Sequence, residues 1–250
     1  MSEKIRVEQA PQSIEKPITL GRGTDGKLVE LTLEDLKSTL IGGLSGSGKS
    51  SLLQHIVNQA KEQAQVFVVD LKRVGFLQFK GQDNCHIITD INKCPKLFQK
   101  ITQEMENRYQ AMEQKGTDKC DKGRVLIVVD EAAELIPFVE NNVVDQIRRI
   151  LSLGRAANIT LIMATQSPSR RLLSGALVDL FPSRIALRCN SVYASKVVID
   201  RPGAEKLPNY SALYVNPQGF QVQISLLPPM GSEELDTSKP HDKIEWDDED

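Results

Sequence analysis

Residues 43–50, Gly43-Leu-Ser-Gly-Ser-Gly48-Lys49-Ser50, fit the pattern G-x-x-x-x-G-K-[ST]. Glycines in such a pattern let the backbone wrap so closely that successive N–H groups point at phosphate oxygens. A helix opening at the end of the pattern adds its positive N-terminal end. The stretch follows the apolar run Thr39–Gly42 and opens the amphipathic run Lys49–Glu62, which is the strand-to-helix context this chemistry requires. On this reading Gly43, Ser45, Gly46, Ser47, Gly48, Lys49, Ser50 and Ser51 bind a nucleoside triphosphate. The Lys49 ammonium reaches the β and γ phosphates, and the Ser50 hydroxyl binds Mg²⁺.

Hydrolysis needs a second metal anchor and a base for water. Val125-Leu-Ile-Val-Val-Asp130-Glu131 supplies both at the end of an apolar run: Asp130 for the metal, Glu131 to polarise the attacking water. The acidic pair and the lack of an NKxD-type guanine-reading motif favour ATP. A third apolar run, Ile159-Thr-Leu-Ile-Met-Ala-Thr165-Gln166, also ends in polar residues. In a parallel sheet its tip lands beside the other two, where Gln166 either senses the γ phosphate or merely caps the strand.

Elements that hold these tips together are legible as an alternation. Short apolar runs at Thr39–Gly42, Val66–Val69, His86–Thr89, Val125–Val129, Ile159–Ala164, Arg184–Leu187 and Ala212–Val215 read as strands. Helical patterns at Lys49–Glu62, Cys94–Gln114, Asn142–Leu153, Leu172–Leu180 and Val192–Ile199 lie between them. The expected fold is α/β: a P-loop ATPase core with a mostly parallel sheet and helices on both faces. The domain is expected over residues 18–230, with a flexible N-terminal arm at 1–17 and a disordered acidic tail at 231–250. That tail carries nine acidic and two basic residues, a charge of −7, which leaves +5 on residues 1–230. A basic body suits a polyanionic partner without proving one.

Composition excludes several classes. Hydrophobic residues make up 40% and charged residues 26%, as in ordinary globular chains, so wholesale disorder is not expected. The first residues lack the apolar stretch of a secretory signal and no run is long enough to span a membrane, so a cytoplasmic location is expected. Cys85, Cys94, Cys120 and Cys189 form no CxxC pair, so free thiols are expected rather than zinc or disulfides.

Several ordered segments then resemble the FtsK/SpoIIIE DNA-translocase family. Asp130-Glu131-Ala-Ala-Glu-Leu135 looks like its DEFADL segment, and Gly154-Arg155-Ala-Ala-Asn158 through Gln166-Ser-Pro168-Ser169 looks like its ARAAGIHLVLATQRPS segment. Asp70-Leu-Lys72 resembles DPK, Met105-Glu-Asn-Arg-Tyr109 resembles MERRY, and Gly203-Ala-Glu-Lys-Leu207 resembles GAEKL. The likeness runs from about Ile18 to about Leu227. It implies a RecA-like core of the additional-strand class, a hexameric ring, and ATP-driven movement along double-stranded DNA. The sequence departs from the family in having no membrane-spanning N-terminus and no room after Leu227 for a winged-helix domain. A minimal motor without sequence reading is therefore expected, of the kind mobile elements use in conjugation, plasmid or phage DNA handling.

The resemblance also bears on single residues. The family's SRTIL-like segment is Ala194-Ser195-Lys196-Val-Val here, with lysine in place of arginine. The cation acting on a neighbour's site is therefore expected to be Lys196 or Arg184, with Arg155 structural. Arg170 and Arg171, just after the third apolar run, suit contact with DNA phosphates. Met105, Tyr109 and Met112 have core spacing, whereas Arg108 is expected to be solvated or at an interface. Asp70 and the Lys72-Arg73 pair have no role assignable from residue types and spacing. The competing readings are a related motor that moves protein in secretion and a nucleotide-gated binding module. In the latter, the N-terminal arm and the acidic tail recruit a partner protein.

Overall fold

The computed structural model describes residues 15–135, 142–166 and 175–230. In chain order its strands are β1 (Ile18–Gly23), β2 (Leu28–Leu31), β3 (Thr39–Gly42), β4 (Ala64–Val69), β5 (Cys85–Ile88), β6 (Arg124–Val129), β7 (Ile159–Thr165), β8 (Ser183–Leu187), β9 (Ser211–Val215) and β10 (Gln221–Leu226). Its helices are α1 (Leu33–Leu36), α2 (Lys49–Ala60), α3 (Cys94–Lys115), α4 (Val143–Leu153), α5 (Gly175–Val178) and α6 (Val192–Ile199). Each apolar run read from the sequence is a strand within one or two residues. Residues 172–174 of the expected Leu172–Leu180 helix lie outside the described residues.

All the described strands join one sheet in the order β2-β1-β10-β9-β8-β3-β7-β6-β4-β5. From β8 to β5 every neighbouring pair is parallel. From β8 back to β2 every pair is antiparallel. Strands of the parallel part are covered on both sides, which is why β3 and β6 read as unbroken apolar runs. Successive residues still point to opposite faces. In β6, Leu126 and Val128 join a core cluster with Leu52, Leu53 and Ile56 of α2, while Ile127 and Val129 join one with Phe98 and Ile101 of α3 and Ile147 of α4. Further along the sheet, α6 packs Val198 and Ile199 with Ala186 of β8 and Leu213 of β9. Gly42 makes that packing feasible, since a Cβ there would collide with the Val198 side chain.

Local signals set the helix ends. The Thr32 side chain accepts from the Asp35 N–H and starts α1, Pro95 lies in the first turn of α3, and Ser191 caps α6. Gly116 ends α3 in the left-handed conformation at φ 62°.

One expectation changes here. Arg108 is not solvated but 2% exposed, with Nη1 donating to the carbonyls of Gly123 at 3.0 Å and Ala157 at 2.6 Å and Nε to Glu104 at 2.9 Å. The guanidinium is buried because it satisfies the chain ends that lead into β6 and β7, while Met105 and Met112 beside it are core as expected. Of the expected arm, residues 15–17 are described: Glu15 pairs with Arg124 at 3.1 Å and Lys16 with Glu62 at 2.8 Å. Residues 1–14 and the tail at 231–250 lie outside the described residues. The cysteines are unpaired, and burial pushes the thiols of Cys85, Cys94 and Cys189 up to about 11. Among the described residues, no helix is long and apolar enough to cross a membrane.

Candidate active site

Parallel strands bring their C-terminal ends to one edge of the sheet, so the segments after β3, β4, β6 and β7 converge there. Strand β7 is inserted between β3 and β6. That order sets Gln166, which follows β7, between the glycine-rich loop after β3 and the Asp130-Glu131 pair after β6.

The loop is shaped by its own backbone. Ser47 donates through N at 3.2 Å and Oγ at 2.7 Å to the Leu44 carbonyl, and Leu44 N–H donates to the Arg188 carbonyl at 2.9 Å. Gly46 and Gly48 have φ of 75° and 100°, values at which other residues are strained. A cleft of about 180 Å³ results, lined by Ser45, Gly46, Gly48, Lys49, Ser50 and Ser51 together with Leu44, Gln166 and Tyr210. Gly43 and Ser47, also expected to bind phosphate, do not line it. Ser47 is 1% exposed, and its N–H and hydroxyl are both used inside the loop, which they shape.

Lys49 lies across the strand ends. Its Nζ donates to the Asp130 carbonyl at 2.7 Å and pairs with Oδ1 at 3.0 Å, with both side chains almost fully buried. Glu131 is oriented by its neighbours: Oε1 accepts from Thr165 Oγ1 at 2.7 Å and Oε2 from Gln166 N at 3.0 Å. Thr165 therefore does more than cap its strand. Its hydroxyl fixes the carboxylate that would activate water. Burial raises the pKa of nearby Glu134; Lys72 opposes the rise, and the carboxylates of Glu131, Asp130 and Asp70 add to it.

Asp70 and Lys72 gain roles that the sequence alone did not give. The Asp70 carboxylate accepts from the N–H groups of Arg73 at 3.0 Å, Gly75 at 2.9 Å and Phe76 at 3.1 Å. It thereby folds the loop after β4, which Gln54 of α2 ties down through the Gly75 carbonyl at 2.6 Å. Lys72 on that loop extends to 3.9 Å from Glu131 Oε2. Two lysines thus face the two acids of the pair.

The remaining expected residues are dispersed. Arg184 sits on β8 opposite Leu40, toward the far edge of the sheet, bound to Asp200 at 2.5 Å and Asp179 at 3.5 Å. Lys196 is exposed on α6. The Arg155 side chain is 72% exposed and pairs with Glu34 at 3.9 Å. Arg148 and Arg149 pair with Asp145 and Glu106 on the surface. Arg170 and Arg171 lie outside the described residues.

Hydroxyl and carboxylate oxygens from Ser50 and Asp130 fit a hard divalent ion such as Mg²⁺. Among the described residues no group of three or more His, Cys, Asp or Glu could hold a metal ion.

Residues 3–125 match the FtsK/SpoIIIE family. The DNA translocase FtsK of Tropheryma whipplei is 31% identical over 220 residues, covering 76% of this chain and 30% of that protein. The chain thus spans about 30% of the length of that curated relative. Among solved structures, the pCW3 conjugation coupling protein TcpA with ATPγS superposes with a TM-score of 0.76 at 24% identity, over 87% of this chain and 67% of that one. The cytoplasmic domain of the Thermomonospora curvata type VII secretion ATPase EccC gives 0.71 at 22% identity, over 86% and 29%. Both likenesses speak to the fold.

Proposed function

Because the chain belongs to the FtsK/SpoIIIE family, we propose that it is an ATP-driven motor that moves double-stranded DNA without reading its sequence. One observation carries the ATPase part: Lys49, Asp130, Glu131 and Gln166 meet at a single sheet edge, with Glu131 held by Thr165 and Gln166. Lys49 and the loop N–H groups bind the phosphates, Glu131 takes the proton of the attacking water, and Gln166 reports on the γ phosphate. Ser50 and Asp130 would hold Mg²⁺, which neutralises charge developing on the phosphates. The motor works as a hexameric ring in the handling of mobile-element DNA.

Arg170 and Arg171 serve as the DNA-binding pair. Arg170→Ala with Arg171→Ala is expected to weaken duplex binding and flatten its salt dependence, by about 1 in the log–log slope for each DNA phosphate no longer neutralised, with basal hydrolysis intact. Titration at several salt concentrations checks this. An unchanged slope removes the pair from the interface. A chain that hydrolyses ATP yet ignores duplex DNA at every salt concentration would instead favour the protein-moving reading, for which EccC is the structural parallel.

The cation completing a neighbour's site is Lys196 or Arg184. Lys196 is exposed but acts only as a point charge, whereas Arg184 offers the planar fork and must leave Asp200 and Asp179 to do so. Mixing the alanine variant of either residue with Lys49→Ala subunits should restore part of the activity that each lacks alone. This follows because intact Lys49 then meets an intact neighbour. Absence of recovery for both variants, in rings verified as mixed, contradicts the assignment.

A further inference from the structure

The loop's cleft, about 180 Å³, is smaller than the roughly 300–1,000 Å³ of sites that enclose a whole small molecule. It suits the phosphates, and the rest of a nucleotide must lie along whatever surface borders it. On the side of Gly48 that surface is apolar. A Cβ built on Gly48 would stand 3.0 Å from Tyr210 Cδ1 and 3.1 Å from Leu226 Cδ1, so the ring and the leucine side chain flank the loop directly.

Tyr210 is also held there under strain. Its φ is 58°, a left-handed value that favours glycine, and the residue remains 41% exposed. The backbone is pinned on both sides: Tyr210 N–H donates to the Ser47 carbonyl at 2.9 Å, and its carbonyl accepts from Leu226 N–H at 2.8 Å. Both of these hydrogen bonds use main-chain atoms, so neither depends on the exposed ring. A flat aromatic face beside a phosphate loop matches one part of ATP, the purine, since every base has a π-face that stacks on such a ring.

We propose that Tyr210, backed by Leu226, is the surface on which the purine of the bound nucleotide stacks. The inference rests on the nucleotide-site reading above. It is tested by calorimetric titration with Mg-ATP and with inorganic tripolyphosphate, which has the phosphates but no base. Tyr210→Gly removes the ring while relieving the left-handed strain, so the loop's backbone support survives. This variant is expected to bind ATP about 10-fold more weakly, as loss of one base–aromatic stack implies. Its tripolyphosphate affinity should be unchanged, and Tyr210→Phe should bind both ligands like the unsubstituted protein. Unaltered ATP affinity in Tyr210→Gly overturns the proposal, and so does an equal loss for both ligands, which would mean a distorted loop. If the unsubstituted protein binds tripolyphosphate as tightly as ATP, the purine stack fails while the phosphate site stands. If it binds neither, the nucleotide-site reading itself fails.

Discussion

Glu131→Gln is expected to leave ATP binding near that of the unsubstituted protein and to slow hydrolysis by about 10²–10⁴-fold, the range that a positioned base contributes. The substitution is nearly isosteric, and the site can absorb it. Thr165 Oγ1 donates to the carboxylate at 2.7 Å, and as a hydroxyl it can rotate to accept from the new amide instead. The Gln166 N–H keeps an oxygen within reach if the amide oxygen takes its side. What the amide lacks is basicity. Measuring ATP affinity and single-turnover hydrolysis on the same preparation separates the two effects, and hydrolysis equal to that of the unsubstituted protein would remove Glu131 from the chemistry.

Lys49→Ala is expected to do the opposite and more. Loss of charge-assisted hydrogen bonds to the β and γ phosphates should reduce ATP affinity by about 10²-fold or more. The variant should also be less stable in the absence of nucleotide, because it leaves the nearly buried Asp130 carboxylate without its cation. Breaking a buried pair in this way costs about 3–5 kcal/mol where water cannot enter, and less here, where the pair borders an open cleft. Adding Asp130→Asn should recover much of the stability and none of the binding. Thermal unfolding of the two variants beside ATP titrations checks both halves, and a Lys49→Ala protein as stable as the original would show that Asp130 is solvated.

Much of this arrangement could be read in the sequence for a physical reason. Strands buried on both faces, such as β3, β6 and β7, must be apolar throughout, and the polar residues that end them lie at the one edge where chemistry is possible. The glycine-rich loop carries its constraint in its residue types. In the antiparallel wing β9 left such a trace as the run Ala212–Val215, but its outer strands did not. Strand β10 buries only Ile224 among its six residues and β2 has four residues of alternating exposure, so neither stands out as an apolar run.

Side chains recruited across long separations were equally hidden. Tyr210 meets Ser47 through the backbone, Lys72 meets Glu131 from the loop after β4, and Arg108 reaches Ala157 across 49 positions. No local pattern encodes such pairings. Asp70 came closest to being found, as an acidic residue directly after a strand, but its work is to fold the Lys72 loop by accepting backbone N–H groups, which no motif of types alone reveals.

Movement along duplex DNA is the central claim, and displacement of an obstacle tests it most directly. A third strand annealed in the major groove of a linear duplex should be released by the protein with Mg-ATP, at times that lengthen with the distance from the free end. Release should cease with Glu131→Gln. Persistence of the third strand while ATP is hydrolysed at the DNA-stimulated rate would contradict translocation.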